Sequence, residues 1–375
     1  PDHFENFKDA LRHLRFLPAG RVQNAMGAAR QTTAYNCFVS GAIEDSMDSI
    51  MGRATDAAET MRRGGGIGYD FSRLRPRGDR IKSLDSRASG AVSFMQIFDA
   101  VCQTIASSGH RRGAQMGVLR VDHPDIEQFI TAKNDGTSLT GFNISVGITD
   151  EFMRCLEKKE PFPLQFEGRV HEEVDPVALW DMIMRSTWDW AEPGVLFIDT
   201  INKMNNLYYC ENIEATNPCG EQPLPPYGAC LLGSFNLTKY VGAGAFDYGL
   251  FTGDIHHVVR AMDNVIDRTI YPLEAQEKEA KNKRRMGLGV TGLANAGEMC
   301  GMPYASEEFM KFTTKILKTL RDHTYGASSL LAKEKGSFPF YDKDRYIEGK
   351  FFKTLSGWVQ DQIKENGLRN SHLTS

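Results

Sequence analysis

The chain has 375 residues, and its 44 Lys and Arg against 48 Asp and Glu give a formal net charge of −4. This near balance excludes a global positive field of the kind that draws proteins to nucleic acid or anionic membranes. The length predicts two domains or one large barrel. The seven cysteines are scattered and form no CxxC pair, which indicates reduced thiols rather than a disulfide scaffold or zinc cluster. No apolar run approaches membrane-spanning length, so we expect a cytoplasmic enzyme that binds neither membrane nor nucleic acid.

Strands and helices alternate along the chain. Apolar residues at every second position predict strands, and apolar residues three and four apart predict helices. In chain order, the predicted elements are a helix over 4–16, a strand over 34–43, helices over 44–63, 91–105 and 124–133, a strand over 141–150, and helices over 175–191 and 254–270. This alternation predicts an α/β fold, and a barrel would hold the motif between "IEAT" and "ACLLGSFNL" at its centre.

Two of the predicted helices carry an apolar stripe. The first stripe contains Met47, Ile50, Met51, Ala54, Ala58 and Met61. The second stripe contains Val92, Met95, Phe98, Cys102 and Ile105. Both are typical of core packing. The methionine-rich stripe could instead form a subunit interface, because methionine packs adaptably.

Two glycine-rich stretches have patterns found in nucleotide sites. "GLGVTG", residues 287–292, satisfies the dinucleotide fingerprint of a NAD-dependent oxidoreductase. That fingerprint requires a preceding apolar strand, whereas "KNKRRM" precedes it here, so we favour a helix that begins near Leu293. In "RRGGGIGYDF", the glycines at 64–66 permit a ligand to approach the backbone closely.

The stretch "NPCGEQPLPPYGAC" has the composition of an active site. Asn217, Cys219 and Glu221 are two residues apart, so in an extended segment their side chains would point to one side. A thiol, an amide and a potential general base would then meet one ligand. The alternative is an ordinary turn with a small buried cysteine.

The chain resembles the catalytic subunit of ribonucleotide reductases. The resemblance rests on "YNCFVSGAIEDSMDSI", "RRGGGIGYDFSRLRPRGDRI", "ASGAVSFMQIFDA", "GHRRGAQMGVLRVDHPDIEQFI", "FNISVGITDEFM", "NPCGEQPLPPYGACLLGSFNL" and "RRMGLGVTGLA", in family order. It implies a ten-stranded α/β barrel with a finger loop that carries a radical cysteine. Residues 1–30 would end an N-terminal helical region, and residues 31–375 would form the catalytic barrel without its C-terminal strands.

The resemblance implies reduction of ribonucleotides to 2'-deoxyribonucleotides by a thiyl radical mechanism. Cys219 matches the thiyl cysteine, Glu221 the base for the 3'-hydroxyl proton and Asn217 the amide that binds the sugar. Cys37 and Cys230 match the pair of thiols that supplies two electrons and becomes a disulfide.

The family also implies ligand positions. The substrate positions would be Ala19, Asn36, Cys37, Gly66, Asn217, Pro218, Cys219, Gly220 and Glu221. A deoxynucleoside triphosphate effector would be bound by Asp45, Ser46, Arg111 and Arg112, and "KNDGTSLTG" resembles the loop that carries effector identity to the substrate. Asp45 or Ser46 could equally cap the helix that follows.

The sequences of the middle motifs among those quoted above are most similar to those of the adenosylcobalamin-dependent class. We therefore expect this cofactor, a homodimer and an external thioredoxin- or glutaredoxin-like reductant. An enzyme with a radical-generating subunit would need redox-active tyrosines, and we interpret Tyr227 as a packing residue. Relatives continue beyond "LRNSHLTS", so we expect a fragment, a split-gene product or a partial sequence, whose missing C-terminal half another chain could supply. A nucleotide-binding regulatory piece without turnover is the non-enzyme alternative.

Overall fold

The structure is a computed structural model that describes residues 2–29, 31–81, 85–105 and 113–374, without the side chains of Asp2 and Cys230. The chain forms two compact units. Unit 1 comprises Pro1–Asn36, Asn205–Cys210 and Ala229–Ser375. Unit 2 comprises Cys37–Met204 and Glu211–Gly228.

The helices follow the apolar periodicity of the sequence. The α-helices are α1 (Asp2–Arg12), α2 (Gly20–Ala25), α3 (Met47–Arg62), α4 (Ala91–Thr104), α5 (Ile126–Thr131), α6 (Asp150–Lys158), α7 (Pro176–Trp190), α8 (Ile198–Met204), α9 (Tyr248–Arg268), α10 (Glu274–Lys283), α11 (Leu293–Met299), α12 (Glu307–Lys335), α13 (Lys343–Glu348) and α14 (Gly357–Asn366). Short 3-10 helices cover Leu237–Tyr240 and Phe352–Thr354.

The strands are shorter than the apolar runs that contain them. They are β1 (Phe16–Pro18), β2 (Cys37–Val39), β3 (Gly66–Asp70), β4 (Arg80–Ile81), β5 (Ser86–Arg87), β6 (Gln115–Arg120), β7 (Phe142–Ile148), β8 (Phe162–Phe166), β9 (Arg169–Val174), β10 (Gly194–Phe197), β11 (Ala215–Thr216), β12 (Pro223–Leu224), β13 (Ala229–Cys230), β14 (Leu232–Asn236), β15 (Val241–Gly242), β16 (Ala245–Phe246) and β17 (Gly287–Thr291).

Unit 2 is built on a parallel sheet in which β2, β3, β6, β7 and β10 lie side by side in chain order. Each successive strand is added on the same side of the previous one. Because crossovers between parallel strands are right-handed, the connecting helices then all lie on one face of the sheet. Ile67 and Tyr69 of β3 and Phe142 and Ile144 of β7 pack with those helices in the core. Because side chains alternate, the residues between them face the opposite side. The predicted α/β class is confirmed.

The stripe predicted on α3 divides into two parts. Ile50, Ala54 and Met61 are buried in the core of unit 2. Met47 and Met51 are 57% and 47% exposed. The core therefore accounts for only part of the stripe, and its methionine-bearing turn remains available on the surface.

Unit 1 has a smaller sheet in which β14 pairs antiparallel with β1 and parallel with β17. Thr374 forms a parallel bridge with Leu288 of β17. Among its helices, α9 carries a fully buried carboxylate, Asp263, which the guanidinium of Arg284 contacts at 2.8 Å. This pairing is needed because an unpaired buried charge would be strongly destabilising.

The "GLGVTG" stretch is not a phosphate-binding turn. Its first five residues form β17 itself, and α10 rather than a strand lies before it. The helix α11 begins at Leu293, as predicted, after Gly292 in the left-handed region with φ 72°. A dinucleotide fingerprint places its glycines in the turn after the strand, so the NAD-dependent alternative is not favoured.

The other boundaries differ modestly from prediction. The opening helix ends at Arg12 rather than near residue 16, where β1 begins. Over the described ranges, the helices include none with the length and apolar character needed to cross a bilayer.

Candidate active site

The cysteine motif forms a tight hairpin in unit 2. Strands β11 and β12 pair antiparallel, with Thr216 opposite Pro223. Between them lie residues 217–222, which we call the thiol loop. Gly220 adopts φ 80°, a left-handed conformation that suits glycine. The loop is therefore a turn, and the expectation of an extended segment with three side chains on one side is wrong.

Asn217 closes the thiol loop from inside. Its Oδ1 accepts a hydrogen bond from Gln222 N at 2.9 Å, and its carbonyl oxygen accepts one from Gly220 N at 3.0 Å. The residue is fully buried. Its Nδ2 makes no hydrogen bond within the described part of the chain. A buried donor without an acceptor costs about 1–3 kcal/mol, so this amide is well suited to a ligand oxygen.

Cys219 and Glu221 lie at the exposed end of the loop. Asn217 is buried at the base of the hairpin. The turn thus presents a thiol and a carboxylate to solvent while an amide donor stays desolvated. A thiol, a potential base and an amide donor thus lie within one short hairpin loop, a set of groups typical of an active site.

The thiol loop lies against the start of β3, where glycines leave room for it. A Cβ on Gly66 would lie 2.8 Å from Cγ of Pro218 and 3.3 Å from the Ala114 carbonyl oxygen. A Cβ on Gly68 would overlap the carbonyl oxygen of Thr216. The absence of side chains at Gly66 and Gly68 therefore allows the hairpin that carries Cys219 to pack directly against β3.

Cys37 belongs to the same part of unit 2. It is the first residue of β2, is half-buried and pairs in register with Gly66. Gly66 in turn lies against Pro218, the residue immediately before Cys219. Four predicted site residues therefore lie in one region of unit 2, because Cys37 pairs with Gly66, Gly66 contacts Pro218, and Pro218 precedes Cys219.

Asn143 was missed by the sequence analysis, which treated it only as part of a strand. It lies in β7 and donates from Nδ2 to the carbonyl oxygen of Pro218 at 2.7 Å. The polar residue between the buried Phe142 and Ile144 was the available signal.

Unit 1 contains three further predicted site residues. Ala19 precedes α2 and donates its N–H to the Leu232 carbonyl at 3.0 Å. Asn36 is half-buried, and its Oδ1 accepts no hydrogen bond from the residues that the structure describes. Cys230 ends β13, and its side chain lies outside the described atoms.

The predicted effector residues lie at the start of α3. Asp45 accepts hydrogen bonds from Arg75 Nε at 2.5 Å and from Arg75 N at 3.3 Å. Ser46 is the N-cap, and its Oγ accepts from Ser49 N at 3.3 Å. The alternative of a helix cap is therefore confirmed for Ser46. Arg111 and Arg112 lie outside the described residues.

A cavity of about 600 Å³ opens beside Asp45. Glu44 and Arg73 line it with Asp45, and the turn between β8 and β9 forms another wall. Arg73 bridges Glu44 at 2.8 Å and Glu214, just before β11, at 3.0 Å. The cavity therefore combines acceptors for hydroxyl groups with a cationic side chain.

The carboxyl group of Asp70, at the end of β3, is perturbed. Burial raises its pKa from the ordinary value of 3.8 to about 6. Hydrogen bonds from Ser72 N at 3.0 Å and Ser72 Oγ at 2.5 Å oppose this shift, and the negative charge of Glu214 adds to it. With this pKa, Asp70 changes protonation near pH 6.

The chain is similar in sequence to a known protein family and to several curated proteins. The family described as "Ribonucleotide reductase, barrel domain" matches residues 35–375. The "Vitamin B12-dependent ribonucleoside-diphosphate reductase" of Mycobacterium tuberculosis is 41% identical over 91% of the chain and 50% of that protein.

Two further relatives agree. The protein of the same name from Thermoplasma acidophilum is 38% identical over 100% of the chain and 47% of its own length. The "Vitamin B12-dependent ribonucleotide reductase" of Streptomyces clavuligerus is 30% identical over 89% of the chain and 38% of its length. The chain spans about half the length of the first two curated relatives it matches. Because the family match covers most of its length, the chain belongs to the ribonucleotide reductase barrel domain family.

Proposed function

We propose that the protein reduces ribonucleotides to 2'-deoxyribonucleotides through a thiyl radical on Cys219. Residues 31–375 would contribute to a ten-stranded α/β barrel with the thiol loop as its finger loop, and residues 1–30 would end an N-terminal helical region. The names and coverage of the relatives support this proposal, as does the parallel sheet of unit 2.

One observation carries the proposal. An exposed thiol lies at the tip of a loop whose base holds the buried Nδ2 of Asn217, which has no acceptor among the residues that the structure describes. A structural turn would gain nothing from an amide donor without an acceptor, because such a donor is costly. A sugar hydroxyl oxygen bound beside Cys219 would satisfy it and would place a ribose carbon near the sulfur.

The chemistry follows from what the groups can do. The thiyl of Cys219 removes the 3'-hydrogen atom, and Glu221 takes the 3'-hydroxyl proton. The 2'-hydroxyl then leaves as water with a proton from one thiol of the Cys37 and Cys230 pair. Oxidation of that pair to a disulfide supplies two electrons and the second thiol hydrogen, which goes to the 2'-carbon. Glu221 returns its proton to the 3'-oxygen, and Cys219 returns its hydrogen atom to the 3'-carbon. The net change consumes one dithiol and releases one water.

Adenosylcobalamin, when bound, would supply the radical that removes the hydrogen atom from the Cys219 thiol. The exposure of Cys219 leaves its sulfur accessible to a large cofactor. Tyr227 supports the same class, since its hydroxyl is engaged by Arg53 and its ring packs over Gly41 as a structural residue. An external thioredoxin- or glutaredoxin-like protein would then reduce the disulfide.

A deoxynucleoside triphosphate effector would bind at the start of α3. Asp45 borders a cavity of about 600 Å³, and its carboxylate can accept a hydrogen bond from a deoxyribose hydroxyl. Ser46, Arg111 and Arg112 would complete this site. The exposed Met47 and Met51 beside it support α3 as the interface of a homodimer.

Exchange of the substrate 3'-hydrogen tests the proposal. In the full-length protein with adenosylcobalamin, Cys219→Ser should abolish this exchange, because an O–H bond is too strong for the alkoxyl equivalent to form. Cys210→Ser, at another exposed cysteine, should retain it. Exchange that persists in Cys219→Ser would refute the assignment. Activity that needs a metal-loaded partner subunit instead of cobalamin would overturn the cofactor alone.

A further inference from the structure

Asn143 joins the sheet of unit 2 to the thiol loop. Its Nδ2 donates a hydrogen bond to the Pro218 carbonyl oxygen at 2.7 Å. Phe142 and Ile144 on either side are buried in the core, so strand alternation directs Asn143 to the face on which the loop lies. Pro218 immediately precedes Cys219. The hydrogen bond therefore fixes the peptide from which the thiol extends.

Lys133 holds the residue before Asn143. Its Nζ contacts both the carbonyl oxygen of Phe142 and the carboxylate of Glu192. The Lys133 and Glu192 side chains are only 18% and 20% exposed, and charges attract more strongly there than in bulk water. A displacement of Lys133 is therefore transmitted to the start of β7, which presents Asn143.

Residues 131–141, from the last residue of α5 to the residue before β7, are held by hydrogen bonds near both ends. Ser186 Oγ lies 3.1 Å from Asn134 Oδ1 near the first end. At the other end, Gly141 N donates to Asp99 Oδ1 at 2.8 Å. Lys133 lies within this segment, so its contact with β7 carries the position of the segment into the sheet.

We infer that Asn143 is a positioning residue for Cys219, and that Lys133 couples residues 131–141 to it. The contacts lead from the segment through Lys133 and the start of β7 to Asn143, and from there to the thiol loop. A ligand that rearranges the segment then moves the sulfur. This inference rests on the proposed function in one respect, since a thiyl enzyme requires the Cys219 sulfur to reach the 3'-hydrogen.

Hydrogen exchange of the loop amides tests the positioning role without nucleotide or activity. Gly220 N donates to Asn217 O at 3.0 Å, and Gln222 N donates to Asn217 Oδ1 at 2.9 Å. Asn143→Asp keeps the size of the side chain and removes its donor. We expect both amides to exchange about fivefold faster, which corresponds to about 1 kcal/mol for one hydrogen bond.

A second variant tests the coupling. Lys133→Met keeps an apolar stem and removes the ammonium group, and we expect the loop amides to exchange at least about twofold faster. Asn295→Asp, which adds the same charge at an exposed position of α11, should change nothing. The Phe71 amide, which donates to Val118 O at 3.0 Å, reports in every variant whether the sheet stays folded.

Two outcomes would overturn the inference. Unchanged exchange at Gly220 and Gln222 in Asn143→Asp would remove the positioning role. Faster exchange in that variant alone, with Lys133→Met unchanged, would remove the coupling and leave Asn143 as a local anchor.

An activity measurement separates this inference from the proposed function. In the full-length protein at saturating substrate, Asn143→Asp should slow exchange of the substrate 3'-hydrogen at least about fivefold, with KM changed less than about twofold. Wild-type protein without 3'-hydrogen exchange, but with loop amides that respond as expected, would refute the function and support the positioning role. An active wild type with unresponsive amides would refute the inference alone.

Discussion

Gly68 lies directly beneath Thr216, whose carbonyl oxygen occupies the place that a Cβ at residue 68 would take. The hairpin that carries Cys219 therefore rests on bare backbone of β3. Any side chain at this position must push the hairpin away from the sheet, because the obstacle is a main-chain atom and cannot rotate aside.

Gly68→Ala should destabilise the protein by about 3 kcal/mol, as expected for overpacking against backbone. Urea denaturation followed by circular dichroism measures the change. Gly52→Ala is the matched control, since a Cβ there meets nothing within 4 Å in the middle of α3. That control should stabilise the helix by about 0.5–1 kcal/mol. Equal stabilities of the two variants would contradict the close contact.

The cysteines of unit 2 should differ in their reaction with iodoacetamide. Burial raises the pKa of Cys102 to about 11, so at pH 8 few of its thiols are ionised, and access is also restricted. Cys219 is exposed. Peptide mass spectrometry should show Cys219 modified at least about tenfold faster than Cys102. Similar rates in the folded chain would contradict the exposed thiol loop.

The proposed dithiol makes a separable prediction. Cys37→Ser or Cys230→Ser should retain 3'-hydrogen exchange and lose deoxynucleotide formation, because hydrogen abstraction precedes the reducing step. Tritium release and product chromatography measure the two steps in the full-length protein. Repeated turnover of either variant at the wild-type rate with a chemical reductant would show that the pair is misassigned.

The homodimer interface proposed on α3 can be tested at its two exposed methionines. In the proposed homodimer, the double variant Met47→Lys and Met51→Lys should shift the measured mass from dimer to monomer, because two desolvated charges oppose association. Light scattering after size exclusion measures the mass. Met310→Lys is the control, at a methionine of α12 that is 55% exposed. A dimer that survives the double variant, or dissociates equally in the control, would place the interface elsewhere.

Asp70 predicts a specific pH dependence of stability. Its pKa is raised on folding from 3.8 to about 6, so the folded state holds the proton more tightly than the unfolded state. Its contribution is fully present below pH 3.8 and is lost as the pH rises through 6. A difference of two pKa units sets an upper limit of about 3 kcal/mol, and partial exposure of the residue reduces it.

Asp70→Asn should remove this dependence, since the amide oxygen can still accept the hydrogen bonds from Ser72. Denaturation of both proteins at several pH values between 4 and 7 isolates the contribution as a difference. Wild type should lose stability relative to the variant as the pH rises. A constant difference would indicate that the carboxyl group titrates normally in the folded chain.

Elements governed by local pattern were predictable. Apolar periodicity predicted α3, α4 and α7, and alternation predicted β7, because each pattern reflects one buried face. The residues before "GLGVTG" were also sufficient to argue against a dinucleotide-binding turn, since they are charged and such a turn follows an apolar strand. The turn at Gly220 was predicted only as the alternative to an extended segment, because spacing by two residues does not distinguish a strand from a turn.

The wider organisation of the site depended on contacts that no local pattern contains. Asn143 was missed because its partner, Pro218, belongs to a hairpin far along the chain. Whether the Nδ2 of Asn217 has an acceptor depends on burial, and only the folded chain shows that it has none among the described residues. The roles of Cys37 and Asp45 came from resemblance to the family, since each alone is compatible with simple packing or capping.

The contact between Gly68 and Thr216 also has a kinetic consequence. It joins positions roughly 150 residues apart, and loops of that length close late because their entropy must be overcome before the contact forms. The parallel sheet, with its nearer neighbours, can form first. We expect β3 to be ordered before the hairpin docks, so that during folding the Cys219 sulfur is positioned only after the strand that supports its hairpin has formed.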